Sequence, residues 1–300
     1  AFANIVNPSA IGINFVVHNP LCYQDLNGSV DLIPSGGTPN YSFNWNNSDT
    51  TEDVSGIGAG TYTITVTDRN GCFKIDSILV TEPAAFYVSG VIKHVTCNGF
   101  ADGGIDATAY GGTLPYSFTW LPGGQSTEDL WNLSGGSDTV FVYDANGCPA
   151  VSIYVINEPQ LLTVDAIGMN VSCFQGKDGS LAAVPTGGTT PYNYLWSNFN
   201  IDSSQTGVSA GKYSVVLTDF NGCLTYDSIT ITQPQDIAIT AVVTDVLCNG
   251  FFTGAVDVTV GGGTPGYTYD WTTSDTTEDI SSLGAGTYIL TVTDSNSCTK

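Results

Sequence analysis

Apolar and polar residues alternate at every second position in run after run of this chain, and no segment sustains a helical period. The clearest run is Thr61-Tyr62-Thr63-Ile64-Thr65-Val66-Thr67. Tyr62, Ile64 and Val66 fall on one face and the threonines on the other, as in a half-buried strand. Asp68-Arg69-Asn70-Gly71-Cys72 follows as a tight turn in which glycine is free to take positive φ. The strand, turn and cysteine return at 210–223 and 284–298, and a weaker copy ends at Asp144–Cys148.

The recurrence has a fixed length. Trp45, Trp120, Trp196 and Trp271 are spaced 75, 76 and 75, and Pro8, Pro83, Pro159 and Pro234 keep the same spacing. Self-similarity of this length identifies an array of structural repeats rather than one large domain. The expected division is residues 1–7 as the end of a preceding repeat, then repeats at 8–82, 83–158, 159–233 and 234–300. The fourth is expected to lack its last strand, so the chain reads as a window on a longer array.

Within the second repeat, strands are expected at Phe86–Val95, Ile105–Tyr110 and Tyr116–Trp120, with an edge segment at Ser126–Leu133. Asp138–Tyr143 and Val151–Ile156 form a closing hairpin. Short strands separated by Gly, Pro and Asn predict an all-β fold, four tandem immunoglobulin-like β-sandwich repeats of about 75 residues. Trp45, Trp120, Trp196 and Trp271 are placed in the cores, with Tyr62, Tyr213 and Tyr288 at tyrosine corners. The second repeat has Asp138 at the tyrosine position, which predicts a looser corner or one rebuilt around Trp131. The proline joints, such as Leu79–Phe86, are short and stiff, and four units in line would span on the order of 160 Å.

Composition narrows the function. The net charge is −22, with six Lys and Arg in all, which excludes nucleic acid and anionic membrane as partners. No run of apolar residues is long enough to predict a membrane span. Eight cysteines, two per repeat, point to an oxidising, extracellular setting. His18 and His94 are the two histidines and lie in different repeats, so neither a catalytic triad nor a histidine metal site is expected. No cofactor is expected beyond structural Ca²⁺.

For Ca²⁺ the weak candidates are Asp68, Asp144, Asp219 and Asp294, which head the Asp-x-Asn turns. Asp102 and Asp178, and the pairs Glu52-Asp53, Glu128-Asp129 and Glu278-Asp279, recur nearby. The competing reading is aspartate bonding its own turn backbone. Trp131 could likewise serve as a sugar platform or as packing.

The cysteines admit three periodic pairings. In-repeat pairing joins Cys22–Cys72, Cys97–Cys148, Cys173–Cys223 and Cys248–Cys298. Inter-repeat pairing joins Cys22–Cys148, Cys97–Cys223 and Cys173–Cys298, and leaves Cys72 and Cys248 without partners in the chain. A third scheme joins Cys72–Cys97. Six strands per repeat would bring both cysteines to one end of the sandwich, whereas seven would set them at opposite ends, beyond disulfide reach. In-repeat pairing is placed first.

Gly-Gly-Thr-x-Pro-Tyr-x-(Phe/Tyr)-x-Trp followed by Gly-x-Tyr-x-(Ile/Val)-x-(Val/Leu)-x-Asp-x-Asn-Gly-Cys resembles the SprB repeat, and the likeness covers every repeat apart from the departure at Asp138. The resemblance implies a Bacteroidota surface adhesin, exported by the type IX system and engaged in adhesion or gliding motility. It also implies O-glycosylation at Asp-(Ser/Thr) sites, here Thr50, Ser77, Thr139, Ser228 and Thr276. The reading is an extracellular, cell-surface stalk or filament segment without enzymatic activity. Its partners would be neighbouring repeats, laterally associated chains or surface polysaccharide. The alternatives are a polysaccharide-binding module and the spacer of a secreted enzyme.

Overall fold

The computed structural model describes residues 2–300 and is built of strands, turns and loops. The first repeat contains β1 (Gly12–His18), β2 (Gly28–Ser35), β3 (Ser42–Trp45), β4 (Val54–Ile57), β5 (Gly60–Thr67) and β6 (Phe73–Val80). The second contains β7 (Tyr87–Lys93), β8 (Gly103–Tyr110), β9 (Ser117–Leu121), β10 (Leu130–Leu133), β11 (Gly136–Tyr143) and β12 (Pro149–Ile156). The third contains β13 (Thr163–Met169), β14 (Gly179–Thr186), β15 (Asn193–Trp196), β16 (Ser204–Val208), β17 (Gly211–Thr218) and β18 (Leu224–Ile231). The fourth contains β19 (Ala238–Thr244), β20 (Gly254–Gly261), β21 (Thr268–Trp271), β22 (Ile280–Leu283) and β23 (Leu290–Thr293).

Each of the first three repeats is a sandwich of two three-stranded antiparallel sheets, ordered β1-β2-β4 and β3-β5-β6 in the first. The inward positions of both sheets meet in one core. In the first repeat Val30, Leu32, Trp45, Val54, Ile64, Val66 and Val80 are buried. Indole Nε1 in each repeat donates to a backbone carbonyl across the following loop, so the one polar atom of each buried tryptophan is satisfied: Trp45 to Thr51 O, Trp120 to Thr127 O, Trp196 to Asp202 O and Trp271 to Thr277 O.

The strands β3 and β4 decide where the cysteines stand. Each has four residues, half the length of β2 and β5. The strand β3 pairs with the half of β5 nearest the Asp68 turn, from Ser42 opposite Thr67 to Trp45 opposite Ile64. The strand β4 pairs with the opposite half of β2, from Val54 opposite Val30 to Ile57 opposite Gly28. The two therefore make one passage between them, the lower half in one sheet and the upper half in the other. Six strands amount to five traverses, an odd number.

One end of each sandwich consequently carries the incoming proline, the turn after β2 and the turn after β5. Gly37 N donates to Ser9 O at 2.8 Å, and Thr38 N donates to Asp68 Oδ2 at 3.0 Å. The other end carries the loop of Cys22 and the outgoing residues: Gln24 N donates to Glu82 Oε2, and Thr81 N to Asn19 Oδ1. Cys22 and Cys72 thus stand at opposite ends. In-repeat pairing, placed first from the strand count, is corrected: the bridges are Cys22–Cys148, Cys97–Cys223 and Cys173–Cys298, with Cα–Cα separations of 5.7, 5.7 and 5.6 Å. Cys72 and Cys248 are free and exposed, so the Cys72–Cys97 scheme is excluded as well.

The tyrosine corners form as expected. Tyr62, Tyr213 and Tyr288 are half-buried at the core's rim, and their hydroxyls donate to Gly58 O, Ser209 O and Gly284 O at 3.1, 2.9 and 2.9 Å. The second repeat is rebuilt, but not around Trp131. Asp138 stands opposite Tyr154 on β12, where the first repeat has Tyr62 opposite Ile78. The aromatic ring has crossed to the neighbouring strand: Tyr154 is buried and lies 6.0 Å from the Trp120 ring. Burial pushes the Asp138 carboxyl up. Trp131 is 55% exposed and covers Gly104, where an added Cβ would come within 2.4 Å of the indole.

The chain divides into two compact units. One holds residues 1–95 and 100–158, the other residues 96–99 and 159–300. The Thr96–Gly99 loop, which carries Cys97, belongs to the second unit although strands of the first unit flank it.

Candidate functional site

The residues that recur in every repeat and are not core packing converge on the turn after β5 and on its equivalents after β11, β17 and β23. Asp68, Asp144, Asp219 and Asp294 head these turns and are all buried. Each carboxylate accepts three backbone N–H bonds. Asp219 Oδ1 takes those of Asn221 and Cys223, both at 2.9 Å, and Oδ2 takes that of Thr189 at 2.8 Å. Asp68, Asp144 and Asp294 repeat the arrangement with Thr38, Thr113 and Thr264. The carboxylate therefore ties the Gly-Gly-Thr turn after β2 to the cysteine turn after β5.

At Asp68 and Asp294 these bonds favour the charged form. The N–H of Thr38 chiefly holds Asp68 below the ordinary carboxylate value of 3.8. At Asp294 burial pushes upward, and the N–H bonds from Thr264, Cys298 and Asn296 together outweigh it, leaving the carboxyl lowered. For the calcium expectation, the geometry gives N–H donors around every one of these oxygens. Among the described residues no group of three or more His, Cys, Asp or Glu is arranged to hold a metal ion.

The asparagine two residues after each aspartate makes the next contact. Asn146 Nδ2 donates to Thr113 Oγ1 at 3.1 Å within its own repeat and to Leu21 O at 3.0 Å in the loop that carries Cys22. Asn221 does the same with Thr189 Oγ1 and Thr96 O, and Asn296 with Thr264 Oγ1 and Ser172 O. Each amide thus grips the residue preceding the partner cysteine, and the disulfide closes beside it. The site is a joint: an x-Cys loop seated on an Asp-x-Asn-x-Cys turn and covalently locked. The sequence displayed the residues of this joint; what was missed was that the asparagine reads the neighbouring loop rather than its own turn. Its fixed place before the cysteine in all four repeats was the available signal.

Glycine occupies the turn position before the cysteine in three repeats, with φ of 84°, 81° and 86° at Gly71, Gly147 and Gly222. The fourth has Ser297 there at φ 67°, a conformation unfavourable for a residue with a Cβ.

The remaining candidates fall elsewhere. Asp53, Asp129 and Asp279 accept the backbone N–H of Leu32, Ala107 and Val258, extending the ladder of the second strand beyond the end of the short fourth one. Asp178 accepts from Ser172 N and Oγ, and Asp102 lies 4.0 Å from Lys93 Nζ. His18 is paired with Asp31 at 3.6 Å, and His94 Nδ1 accepts the N–H of Asn157. Thr50, Ser77, Ser228 and Thr276 are exposed, Ser77 and Ser228 beside half-buried Ile78 and Ile229, whereas Thr139 is half-buried inside β11.

No helix among the described residues is long and apolar enough to cross a membrane. A search of curated protein sequences finds no match. Among solved structures the chain is similar to immunoglobulin domains 1–5 of Sidekick-1, at 11% identity and TM-score 0.35, covering 97% of this chain and 79% of that one. It is also similar to the N-terminal eight Ig domains of Down Syndrome Cell Adhesion Molecule, at 12% identity, TM-score 0.34, and coverage of 96% and 48%. Domains 3–5 of Drosophila OTK match at 10% identity, TM-score 0.27, and coverage of 74% and 97%. The SprB repeat profile matches four times, at residues 14–50, 89–125, 168–200 and 240–276, each match running from the first strand through the tryptophan. The chain is a tandem array of four repeats of the SprB-repeat family.

Proposed function

We propose that this chain is a load-bearing segment of an extracellular adhesin stalk, without enzymatic activity, whose task is to hold an adhesive element away from the cell surface under tension. The observation that carries the reading is the disulfide pattern. Every bridge joins the loop of one repeat to the turn of the next, so the covalent path skips most of each sandwich. Such bonds persist in an oxidising setting outside the cytoplasm. A hydrolase or a sugar-binding module gains nothing from stapling every repeat to its neighbour, whereas a tether that must not lengthen does. Membership of the SprB-repeat family supports the same reading.

A direct polysaccharide-binding role rests on Trp131, the half-exposed aromatic without a counterpart in the other repeats. The two readings separate on a glycan array. The stalk reading expects the isolated 300-residue chain to retain no glycan. Retention that disappears on Trp131→Ala would replace it with the binding module.

Exposed hydroxyls at Thr50, Ser77, Ser228 and Thr276 fit a glycosylated surface, with Thr139 the least accessible of the five sites. Sugars on Ser77 and Ser228 would also shield β6 and β18, edge strands of their sheets. Intact mass of native material should exceed the sequence mass by hexose-scale steps that map to these four residues before Thr139. Unmodified hydroxyls at all four would end that part of the proposal.

A further inference from the structure

The closing hairpin of the second repeat turns an apolar face outward. Alternation along β12 buries Tyr154 and Ile156 and points Val151, Ile153 and Val155 away from the core, at 60, 66 and 50% exposure. On β11, Phe141 stands opposite Val151 and Tyr143 opposite Pro149. Leu121 on β9 stands opposite Thr139, which is itself opposite Ile153. All belong to the sheet ordered β12-β11-β9. The other outward positions of the three strands are Ser117, Thr119, Ser137 and Thr139. Asp138 shares the core side of β11 with Val140 and Val142. The face therefore carries no charged side chain, on a chain whose net charge is −22.

The same sheet is more polar in the first and third repeats. The middle strand presents Thr61, Thr63, Thr65 and Thr67 outward in the first, and Lys212, Ser214, Val216 and Thr218 in the third. The place of Ile153 is held by Ser77, opposite Thr63, and by Ser228, opposite Ser214. Those hydroxyls are satisfied by water, whereas an aliphatic column flanked by Phe141 and Tyr143 is costly to leave wet. Packing inside the repeat does not account for it, because these positions point away from the core. Single exposed apolar residues need no explanation, but a contiguous set on one sheet face marks a contact surface.

We infer that two copies of this chain meet side by side through the second repeat, the β12-β11-β9 face of one against the same face of the other. Charge selects the partner. Copies of so acidic a chain repel wherever they present carboxylates, and this face lets two of them close without setting fixed charges against each other. A basic partner would gain nothing from a face without carboxylates. A sheet face is covered well by another sheet face about 10 Å away with its strands nearly aligned. A two-fold axis along the strands keeps both copies running the same way and brings Ile153, near the middle of the face, close to its counterpart. Three strands about 4.8 Å apart and about seven residues long give roughly 350 Å² per copy. The total of about 700 Å² falls short of the roughly 1,000 Å² of a stable complex, so the contact is weak in solution, with a dissociation constant on the order of 10⁻⁴ M. Chains anchored together on one surface would raise the effective concentration enough to fill it. That last step alone rests on the stalk reading.

The test takes the oxidised 300-residue chain, produced without sugars and with its two free thiols alkylated so that no new disulfide can form. Sedimentation equilibrium follows its mass from about 10 µM to about 1 mM at moderate salt, which screens the repulsion between chains. The mass should rise towards twice that of the monomer, and more steeply as salt is added. Ile153→Asp should weaken the dimer by about tenfold or more, and Ile153→Ser, which installs the residue of the first and third repeats, by about three- to tenfold. Both should leave the melting curve unchanged, because Ile153 is exposed in the single chain. Ile153→Asp mixed with Ile153→Lys should associate more tightly than either variant alone, the signature of a face that meets itself. Tyr226→Asp, exposed on the matching strand β18 of the third repeat, should change nothing. A chain that stays monomeric at about 1 mM, an association that survives Ile153→Asp, a mixture no tighter than its components, or equal weakening by Tyr226→Asp would overturn the inference. None of these outcomes bears on the disulfide path that carries the stalk reading.

Discussion

Held at its two ends and pulled, the oxidised chain should stop lengthening at roughly 180 Å, about one sixth of the reach of the same chain with its disulfides reduced. The limit follows from connectivity and does not depend on how much of the fold survives. The shortest covalent route runs from the N-terminus to Cys22, crosses to Cys148, follows the backbone to Cys173, crosses to Cys298 and leaves at Lys300. It contains roughly 50 residues, against 300 for the reduced chain, at about 3.5 Å each when extended. In-repeat pairing would have left a route of roughly 100 residues, about 350 Å, so force–extension curves also discriminate between the two patterns. Optical-trap or atomic-force measurements with and without reductant read the difference directly. An oxidised chain that passes about 300 Å before rupture would sink both the pairing and the mechanical reading.

The bridges also act on the unfolded state. The first two span 126 residues and the third 125, and in the chain-entropy view a single loop of that size is worth about 5 kcal/mol. Overlap makes them less than additive, because each loop is already shortened by its neighbour. For repeats of about 75 residues, which bury a modest core, that contribution is a large share of the stability available.

Much of this was written in the local pattern. Period-two alternation placed β5, β11 and β17, and the repeated tryptophan and tyrosine positions located the cores, because both depend only on which residues share a face. Disulfide connectivity was not legible in the same way. It depends on the number of traverses, and β3 and β4 share one traverse through a change of sheet between Trp45 and Val54 that no local pattern announces. The transfer of the aromatic from position 138 to Tyr154 was hidden for a related reason: a pair across two strands can exchange its members without altering either strand's alternation. The acidic turns were legible as turn chemistry, while their second partner, the threonine about 30 residues upstream, required the register of the sandwich.

Asp219→Ala should destabilise the third repeat by about 3–5 kcal/mol, the cost of leaving three N–H groups without their acceptor. Two of those groups, on Asn221 and Cys223, shape the turn, and the third, on Thr189, holds the Gly-Gly-Thr turn against it. Losing the carboxylate therefore separates two segments and withdraws the platform from which Asn221 reaches Thr96 O. Asp219→Asn is no conservative change. One side-chain oxygen faces Asn221 and Cys223 and the other faces Thr189, so either orientation of an amide sets an NH₂ group against an N–H donor. Its cost should be closer to that of alanine than to zero. Denaturant unfolding of the oxidised chain gives the loss in stability, and non-reducing peptide maps give the yield of Cys97–Cys223 during refolding. Both variants should lower that yield, because Cys223 N–H is one of the three bonds removed or opposed. A stability loss below about 1 kcal/mol for both would show that water replaces the carboxylate freely and that the turn is not the clamp of the joint.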